Sequence, residues 1–138
     1  MITSRLSLVL LLIFSPIALA ELEFRDPWIK NLPASVPVRA GYMTILNSQS
    51  EAVSIVSLRS NAFTSIEIHQ TIEQDGMMRM EQVTNLKIES NSSVHLAPGG
   101  LHLMMMNPSE PTQPGDLLEI LVVLDDGSEQ RVEMQVMK

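Results

Sequence analysis

The chain has 138 residues, of which 45% are hydrophobic and 18% charged, and its formal net charge at pH 7 is −7. This length and composition are typical of one globular domain with a single hydrophobic core. The acidic balance argues against nucleic acid and anionic membrane surfaces as partners, because both repel a negatively charged protein. The chain has no cysteine, which excludes disulfides, thiol nucleophiles and thiolate metal sites.

Residues 1–20 have the pattern of a secretory signal peptide. A positive charge at Arg5 precedes an apolar run over residues 6–14, and the small residues of the A-L-A motif at 18–20 suit signal peptidase. The apolar run is too short to span a membrane comfortably. We therefore predict cleavage, export to the periplasm and one domain over residues 21–138, with a net charge of −8 and no stable membrane insertion.

Strand patterns dominate the rest of the chain, and no segment has a convincing helical period. Short apolar alternations lie between turn residues, such as those at 75–76, 91–93 and 98–100. The strands predicted from this pattern cover residues 22–28, 39–46, 52–58, 63–72, 77–83, 101–106, 117–124 and 130–137. The first of them is expected at a sheet edge. About eight or nine short strands at this spacing predict an all-β sandwich or barrel.

Methionine is unusually abundant, with ten in the chain. Two clusters, at 77–80 and 104–106, contain six of them. For any single methionine the simplest interpretation is a flexible core filler, and we adopt it for Met134 and Met137. A Met-rich surface that holds an apolar partner is a second interpretation of the clusters.

Two of the three histidines lie where they could bind a metal ion. In the strand at 101–106, alternation puts His102 and Met104 on one face, roughly 6–7 Å apart along the backbone, with Leu103 and Met105 on the core face. An imidazole and a thioether at this spacing could reach one ion.

His69 lies on the polar face of its own strand, with Glu67 and Thr71. The Asp75-Gly76 turn predicts a hairpin in which Met80 opposes Thr71, close to His69. These two residues form a second half of the candidate site. How the two halves approach each other does not follow from the sequence.

The ligand types select the metal. Two thioethers and two neutral imidazoles suit Cu(I), a soft ion, and we expect one Cu(I) ion per chain. Zn²⁺ would require cysteine or carboxylate ligands, and Mg²⁺ or Ca²⁺ would require oxygen ligands. Enzymatic activity is not expected, because the chain has neither a G-x-S-x-G nor an H-E-x-x-H motif. Electron transfer is not expected either, because such copper sites normally use a cysteine.

The spacing of the candidate residues matches a known signature, H-x10-M-x21-H-x-M, formed here by His69, Met80, His102 and Met104. This signature resembles that of the periplasmic copper chaperones called PCuAC. Residues 75–80 resemble the family's D-G-x-M-x-M turn, 98–104 its P-G-G-x-H-L-M segment and 40–45 its A-x-Y-M-x-I strand. The similarity spans essentially the whole chain after the signal segment.

The resemblance implies a cupredoxin-like Greek-key fold and a role in carrying periplasmic Cu(I). It also implies that the four residues of the signature are the ligands. The acceptor that it implies is the copper centre of cytochrome c oxidase subunit II. Because neutral thioethers exchange readily, a thiolate-bearing assembly factor is a second expected acceptor. Two alternatives stay open, namely copper sequestration for resistance and a non-metal interaction module with a Met-rich surface. No sequence feature specifies an interface, so a monomer is expected.

The chain also departs from the family pattern. Asn107 replaces a frequent glycine after Met106, and the chain ends at 136–138 without the His- and Met-rich tail that provides a second copper site in some members. A single site is therefore predicted. His95 has no partner at ligand spacing and is interpreted as a surface residue. Met78 and Met106 are alternative ligand candidates, but packing is the preferred interpretation for both.

Overall fold

The computed structural model describes residues 21–138, so the predicted signal peptide lies outside the described residues. This part of the chain contains no α-helix, and hence none that could cross a membrane. It contains ten β-strands: β1 (Glu23–Lys30), β2 (Val38–Asn47), β3 (Val53–Arg59), β4 (Phe63–Gln74), β5 (Met77–Gln82), β6 (Leu86–Ile88), β7 (Ser92–Leu96), β8 (Leu101–Pro108), β9 (Leu117–Leu124) and β10 (Glu129–Met137).

Seven of these strands form a closed barrel in the order β4-β8-β2-β1-β10-β9-β3, and β3 returns to β4 through the pairing of Leu58 with Ile66. The β1–β10 pairing is parallel and the others are antiparallel. Strand β5 pairs with β4, and β6 pairs with β3. Strand β7 pairs with residues 43–47 of β2, next to residues 38–41 of β2, which pair with β8. This all-β barrel confirms the predicted cupredoxin-like fold class. The strands that were not predicted are β6 and β7, and β7 includes two residues of the turn expected at 91–93.

Strand β1 is not an edge strand, contrary to the prediction. It pairs with β2 on one side and with β10 on the other. Pro27 has no N–H to donate to either neighbour, and proline in a sheet is found at edges or at bulges. Here the register with β2 shifts between Arg25 and Trp28, and Asp26 has a φ of 50°. This bulge accommodates the proline inside the barrel wall.

The barrel interior is filled by alternate residues of the strands, as the period-two pattern predicts. Ile66 and Ile68 of β4 pair with Met105 and Leu103 of β8, and all four side chains are buried. The outer side of these strands is the face that carries His69, Met80, His102 and Met104, and we call it the site face. Within residues 21–138, the core contains 21 buried residues, and almost all of them are aliphatic or methionine.

Gly41 of β2 leaves room for two core side chains of β8. A Cβ atom on Gly41 would lie 3.1 Å from Sδ of Met105 and 3.2 Å from Cβ of Leu103, closer than most such contacts. Gly41 pairs with Leu103 in the sheet register, so a side chain here would press on the side chains of Leu103 and Met105, which would have to shift by a few tenths of an ångström. The core side chains of β8, the strand that also carries His102 and Met104, therefore pack directly against β2.

Met134 and Met137, which lie outside the two clusters, differ in their exposure to solvent. Met134 is fully buried, which confirms its interpretation as a core filler. The same interpretation is wrong for Met137, which is 47% exposed. Both lie on β10, but they are three positions apart, so alternation puts them on opposite faces.

The hairpin of β4 and β5 turns at Asp75 and Gly76, with φ values of 54° and 74°. Two consecutive positive φ values define a two-residue turn that suits the twist of a hairpin. The resulting register pairs Thr71 with Met80, as predicted. Pairing of β4 with β8 ends at Gln70, so the hairpin arm (residues 71–80) projects beyond the barrel.

Candidate metal site

The two histidines of the signature face each other across neighbouring strands. His69 of β4 and His102 of β8 are direct partners in the antiparallel register, and their ring centroids lie 6.2 Å apart. This separation leaves room for one ion between the rings, because a metal–nitrogen bond is about 2 Å long. The structure thus joins the two halves of the site that the sequence left separate.

The two thioethers lie on the same face as the histidines. Met104 follows His102 by two residues and pairs with Glu67, which precedes His69 by two residues. Met80 pairs with Thr71, which follows His69 by two residues. Because residues that oppose each other in a sheet point to the same side, all four candidates share the site face.

These four side chains differ in their exposure. His102 is buried at 7%, and Met104 is half-buried. The side chain of His69 is 15% exposed, whereas Met80, on the hairpin arm, is 59% exposed. Three candidates are therefore fixed in the barrel wall, and the fourth lies on an element with solvent around it.

A carboxylate orients His69. Its Nε2 lies 2.7 Å from Oε2 of Glu67. An ionised carboxylate only accepts hydrogen bonds, so the Nε2–H of the neutral ring donates and Nδ1 keeps its lone pair. This Nδ1 atom is buried and has no hydrogen-bond partner. A buried nitrogen with an unused lone pair is what a metal ligand requires.

A backbone carbonyl orients His102 in the opposite sense. Its Nδ1 lies 3.0 Å from the carbonyl oxygen of Gly100, which can only accept, so Nδ1–H donates. The lone pair of His102 is therefore on Nε2. Gly100 belongs to the turn at 97–100, in which its own N–H donates to the carbonyl of Ala97. In their neutral forms, the two histidines thus present different ring nitrogens as ligands, Nδ1 of His69 and Nε2 of His102.

Sequence reasoning placed Glu67 on the polar face but did not assign it this role. The sequence feature that predicts this contact is the spacing of the two residues. Glu67 precedes His69 by two positions on one strand, so its carboxylate can reach the imidazole. Glu67 also pairs with Met104 in the register, so it is next to one residue from each half of the site, His69 and Met104.

The other candidates of the sequence are placed as follows. His95 is exposed on β7 and its Nδ1 lies 3.0 Å from Oγ1 of Thr44, which confirms a surface position. Met106 is half-buried and pairs with Ser65. Met78 is 66% exposed, so its interpretation as a packing residue is wrong.

Two aromatic residues lie farther along the same side of the barrel wall. Tyr42 follows Ala40, the β2 partner of Met104, by two residues, and Tyr42 pairs with Trp28 of β1. The two rings are 4.7 Å apart between centroids. Burial raises the pKa of the Tyr42 phenol, so it stays protonated and neutral at pH 7. The two rings therefore add an uncharged aromatic surface beside the candidate site.

The donor set favours a soft ion. Residues 21–138 contain no group of three or more His, Cys, Asp or Glu side chains placed to hold a metal ion. A site for Zn²⁺ or Ca²⁺ would need such a group. Two imidazole lone pairs with two thioethers beside them can instead coordinate a soft monovalent ion without adding charge.

The fold and this arrangement define a cupredoxin-like domain that has imidazoles and thioethers but no cysteine on its site face. The sequence profile of the family described as "Putative lipoprotein LpqE-like" matches residues 22–136. The chain therefore belongs to the LpqE-like family.

Two curated relatives are similar to this chain over most of its length. Protein RP573 of Rickettsia prowazekii is 31% identical over 121 residues, which are 85% of this chain and 67% of the relative. The putative lipoprotein Lxx21020 of Leifsonia xyli subsp. xyli is 29% identical over 110 residues, which are 79% of this chain and 65% of the relative. The chain thus spans about two thirds of the length of these relatives.

Solved structures confirm the resemblance to PCuAC. The copper-bound PCuAC domain from PmoF2 superimposes with a TM-score of 0.73 at 20% identity, over 87% of this chain and 95% of that domain. The solution structure of Cu(I)-bound DR1885 from Deinococcus radiodurans gives a TM-score of 0.68 at 26% identity, over 82% of this chain and 76% of that one. Both are similar to this chain along nearly its whole described length.

Proposed function

We propose that this protein binds one Cu(I) ion through His69, Met80, His102 and Met104 and carries it as a chaperone in the periplasm. In this proposal residues 1–20 direct export, residues 21–138 are the copper-binding domain, and the protein acts as a monomeric carrier without enzymatic activity. The cargo passes to a copper acceptor, such as cytochrome c oxidase subunit II or a thiolate-bearing assembly factor.

The observation that carries the proposal is the pairing of His69 with His102. Two imidazoles with ring centroids 6.2 Å apart, each oriented by a hydrogen-bond acceptor, give two nitrogen ligands for one ion. A buried, unpaired Nδ1 on His69 would cost stability without a ligand to satisfy it. The thioethers of Met80 and Met104 flank this pair and supply the softness that favours Cu(I) over Zn²⁺.

The exposure of Met80 supports delivery rather than sequestration. A storage site gains from burying all its ligands, whereas a carrier must let an acceptor reach the ion. Met80 is 59% exposed and lies on the projecting hairpin arm. Thioethers are neutral, weakly held ligands, so a partner with thiolates could replace them stepwise.

A Cu(I) competition titration against a chromophoric chelator under reducing conditions tests the binding. We expect one tight equivalent for the wild-type protein and a clear loss of affinity for Met104→Leu, because leucine keeps the volume but has no donor atom. Met106→Leu is the matched control, since Met106 lies two residues farther along the same face, and we expect wild-type affinity for it. Equal behaviour of both variants and the wild type would support the Met-rich interaction module instead.

Removal of the Glu67 carboxylate should weaken copper binding although Glu67 is not a ligand. Glu67→Leu leaves the Nε2–H of His69 without its acceptor, so the ring loses its fixed tautomer and orientation. We expect Cu(I) affinity to fall by about 10- to 100-fold, as is typical when the partner of a metal-binding histidine is lost. The same titration measures it.

Glu81→Leu is the control for this prediction. Glu81 pairs with Gln70 and therefore points away from the site face, toward the side that Arg79 shares. We expect its affinity to equal that of the wild type. A similar loss in both variants would mean that the negative charge of the region, and not the orientation of His69, supports binding.

A further inference from the structure

Met77 and Met78 are the most exposed large apolar side chains in the described part of the chain, at 68% and 66%. They lie near the tip of the hairpin arm, where all six residues of β5 are exposed. Neither side chain fills a gap in the core, which is the usual role of methionine. Alternation along β5 puts Met78 on the site face with Met80, and Met77 on the opposite face.

The two faces of the hairpin arm also differ in their charged residues. Met78 pairs with Glu73, so a carboxylate stands beside its thioether on the site face. Arg79, the one basic residue in 71–80, pairs with Ile72 on the opposite face, and its Nη1 donates to Oε1 of Gln74 at 2.6 Å. The site face of the arm therefore offers thioethers and negative charge, and no basic group, to an approaching cation.

The thioethers of the arm lead toward the histidine pair. Met78 and Met80 are two residues apart on one strand face, which is roughly 6–7 Å along the backbone. Met80 pairs with Thr71, the next residue after His69 on that face. The order from solvent inward is thus Met78, Met80 and then the histidines.

We propose that Met78 is the first ligand that Cu(I) meets, and that Met78 and Met80 together form a two-thioether entry station. The inference rests on the proposed function. From the entry station the ion moves to His69, His102 and Met104 and keeps its bond to Met80, while its bond to Met78 breaks. Release to an acceptor follows the same steps in reverse.

This transfer needs no other reactant. The bond from copper to Sδ of Met78 is replaced by bonds to Nδ1 of His69 and Nε2 of His102, whose lone pairs are already available. Thioether and neutral imidazole are both uncharged, so neither a proton nor an electron moves. Copper stays Cu(I) throughout.

A comparison of Met78→Leu with Met77→Leu tests the inference. The two residues are adjacent, equally exposed and of one type, but they lie on opposite faces, and leucine preserves the apolar surface in both. Stopped-flow absorbance follows transfer of Cu(I) from its bicinchoninate complex to the purified protein. We expect Met78→Leu to slow transfer about tenfold, which is about 1.4 kcal/mol in the barrier, with equilibrium affinity within about twofold of wild type. Met77→Leu should keep the wild-type rate.

Three outcomes would overturn the entry station. Met78→Leu could transfer copper at the wild-type rate. Met77→Leu could be slowed equally, which would indicate a general apolar encounter surface. Met78→Leu could lose equilibrium affinity in proportion to its rate, which would make Met78 a resident ligand. Failure of the proposed function is distinguished beforehand, because the equilibrium titration of the wild-type protein would then show no Cu(I) binding.

Discussion

His102→Ala should lower Cu(I) affinity by at least about a hundredfold, since the loss of a residue that only orients a ligand already costs 10- to 100-fold. His102 is the best-fixed candidate ligand. It is 7% exposed, Gly100 holds its Nδ1, and it pairs with His69 in the register. Alanine removes Nε2 as a metal ligand. The neighbouring thioethers cannot replace it, because they supply sulfur and not nitrogen. The chelator competition titration measures the change.

His95→Ala is the matched control for this prediction. His95 is exposed, its Nδ1 contacts Oγ1 of Thr44, and its strand pairs with β2 rather than with β4. We expect wild-type affinity for the variant. Circular dichroism before the titration shows whether each variant keeps its sheet. An His102→Ala protein that is folded and binds Cu(I) as tightly as the wild type would remove the histidine pair from the site.

The faces of the strands could be predicted from the sequence, because burial of one side of a sheet enforces strict alternation. This is why Leu103 and Met105 were assigned to the core and His102 and Met104 to the other face. Hairpin registers next to a strong turn are also predictable. The Asp75-Gly76 turn requires positive φ at both residues, and that geometry sets Thr71 opposite Met80.

Pairings between strands that no turn connects could not be predicted. The register of β4 with β8, which joins His69 to His102, is fixed by the packing of the whole barrel and not by a local signal. The same is true of β1, whose bulge at Pro27 allows it to close the barrel against β10. That the four residues bind metal stays a prediction, as does the extent of the domain.

Alternation also gives the face of a residue without telling whether anything covers that face. Met78 and Met137 were both interpreted as packing residues, and both are exposed. Met78 lies near the tip of the hairpin arm, and Met137 lies on the face of β10 opposite to the buried Met134. Composition alone therefore shows that methionine is abundant, but not that several of the methionines are exposed on the hairpin arm.

Arg39 should be among the most important residues for stability, although its charge is buried. It is 0% exposed and forms no ion pair among the described residues. Its Nη1 donates to the carbonyls of Val36 and Val38 at 2.7 and 2.9 Å, and its Nε donates to Oγ1 of Thr112 at 2.7 Å. Thr112 in turn donates to Oδ1 of Asn31. One guanidinium thus links the loop between β1 and β2 to the loop between β8 and β9.

We expect Arg39→Met to lower the free energy of unfolding by about 3 kcal/mol. Methionine fits the apolar surroundings but leaves two carbonyls and a hydroxyl without their donor, and each lost bond to a charged group costs about 1.5–3 kcal/mol before the gain from removing a buried charge. Urea unfolding at 25 °C measures the change. Arg59→Met is the control, because the exposed pair of Arg59 with Glu129 should contribute less than about 1 kcal/mol.

A double-mutant cycle separates this network from simple loss of volume. Thr112→Val removes the hydroxyl that both accepts from Arg39 and donates to Asn31. If the three residues act as one link between the loops, the double variant Arg39→Met/Thr112→Val should be less destabilised than the sum of the single variants, by about 0.5–3 kcal/mol. Strict additivity, or an Arg39→Met effect no larger than that of Arg59→Met, would show that the loops are held by their other contacts and that the buried guanidinium is tolerated rather than required.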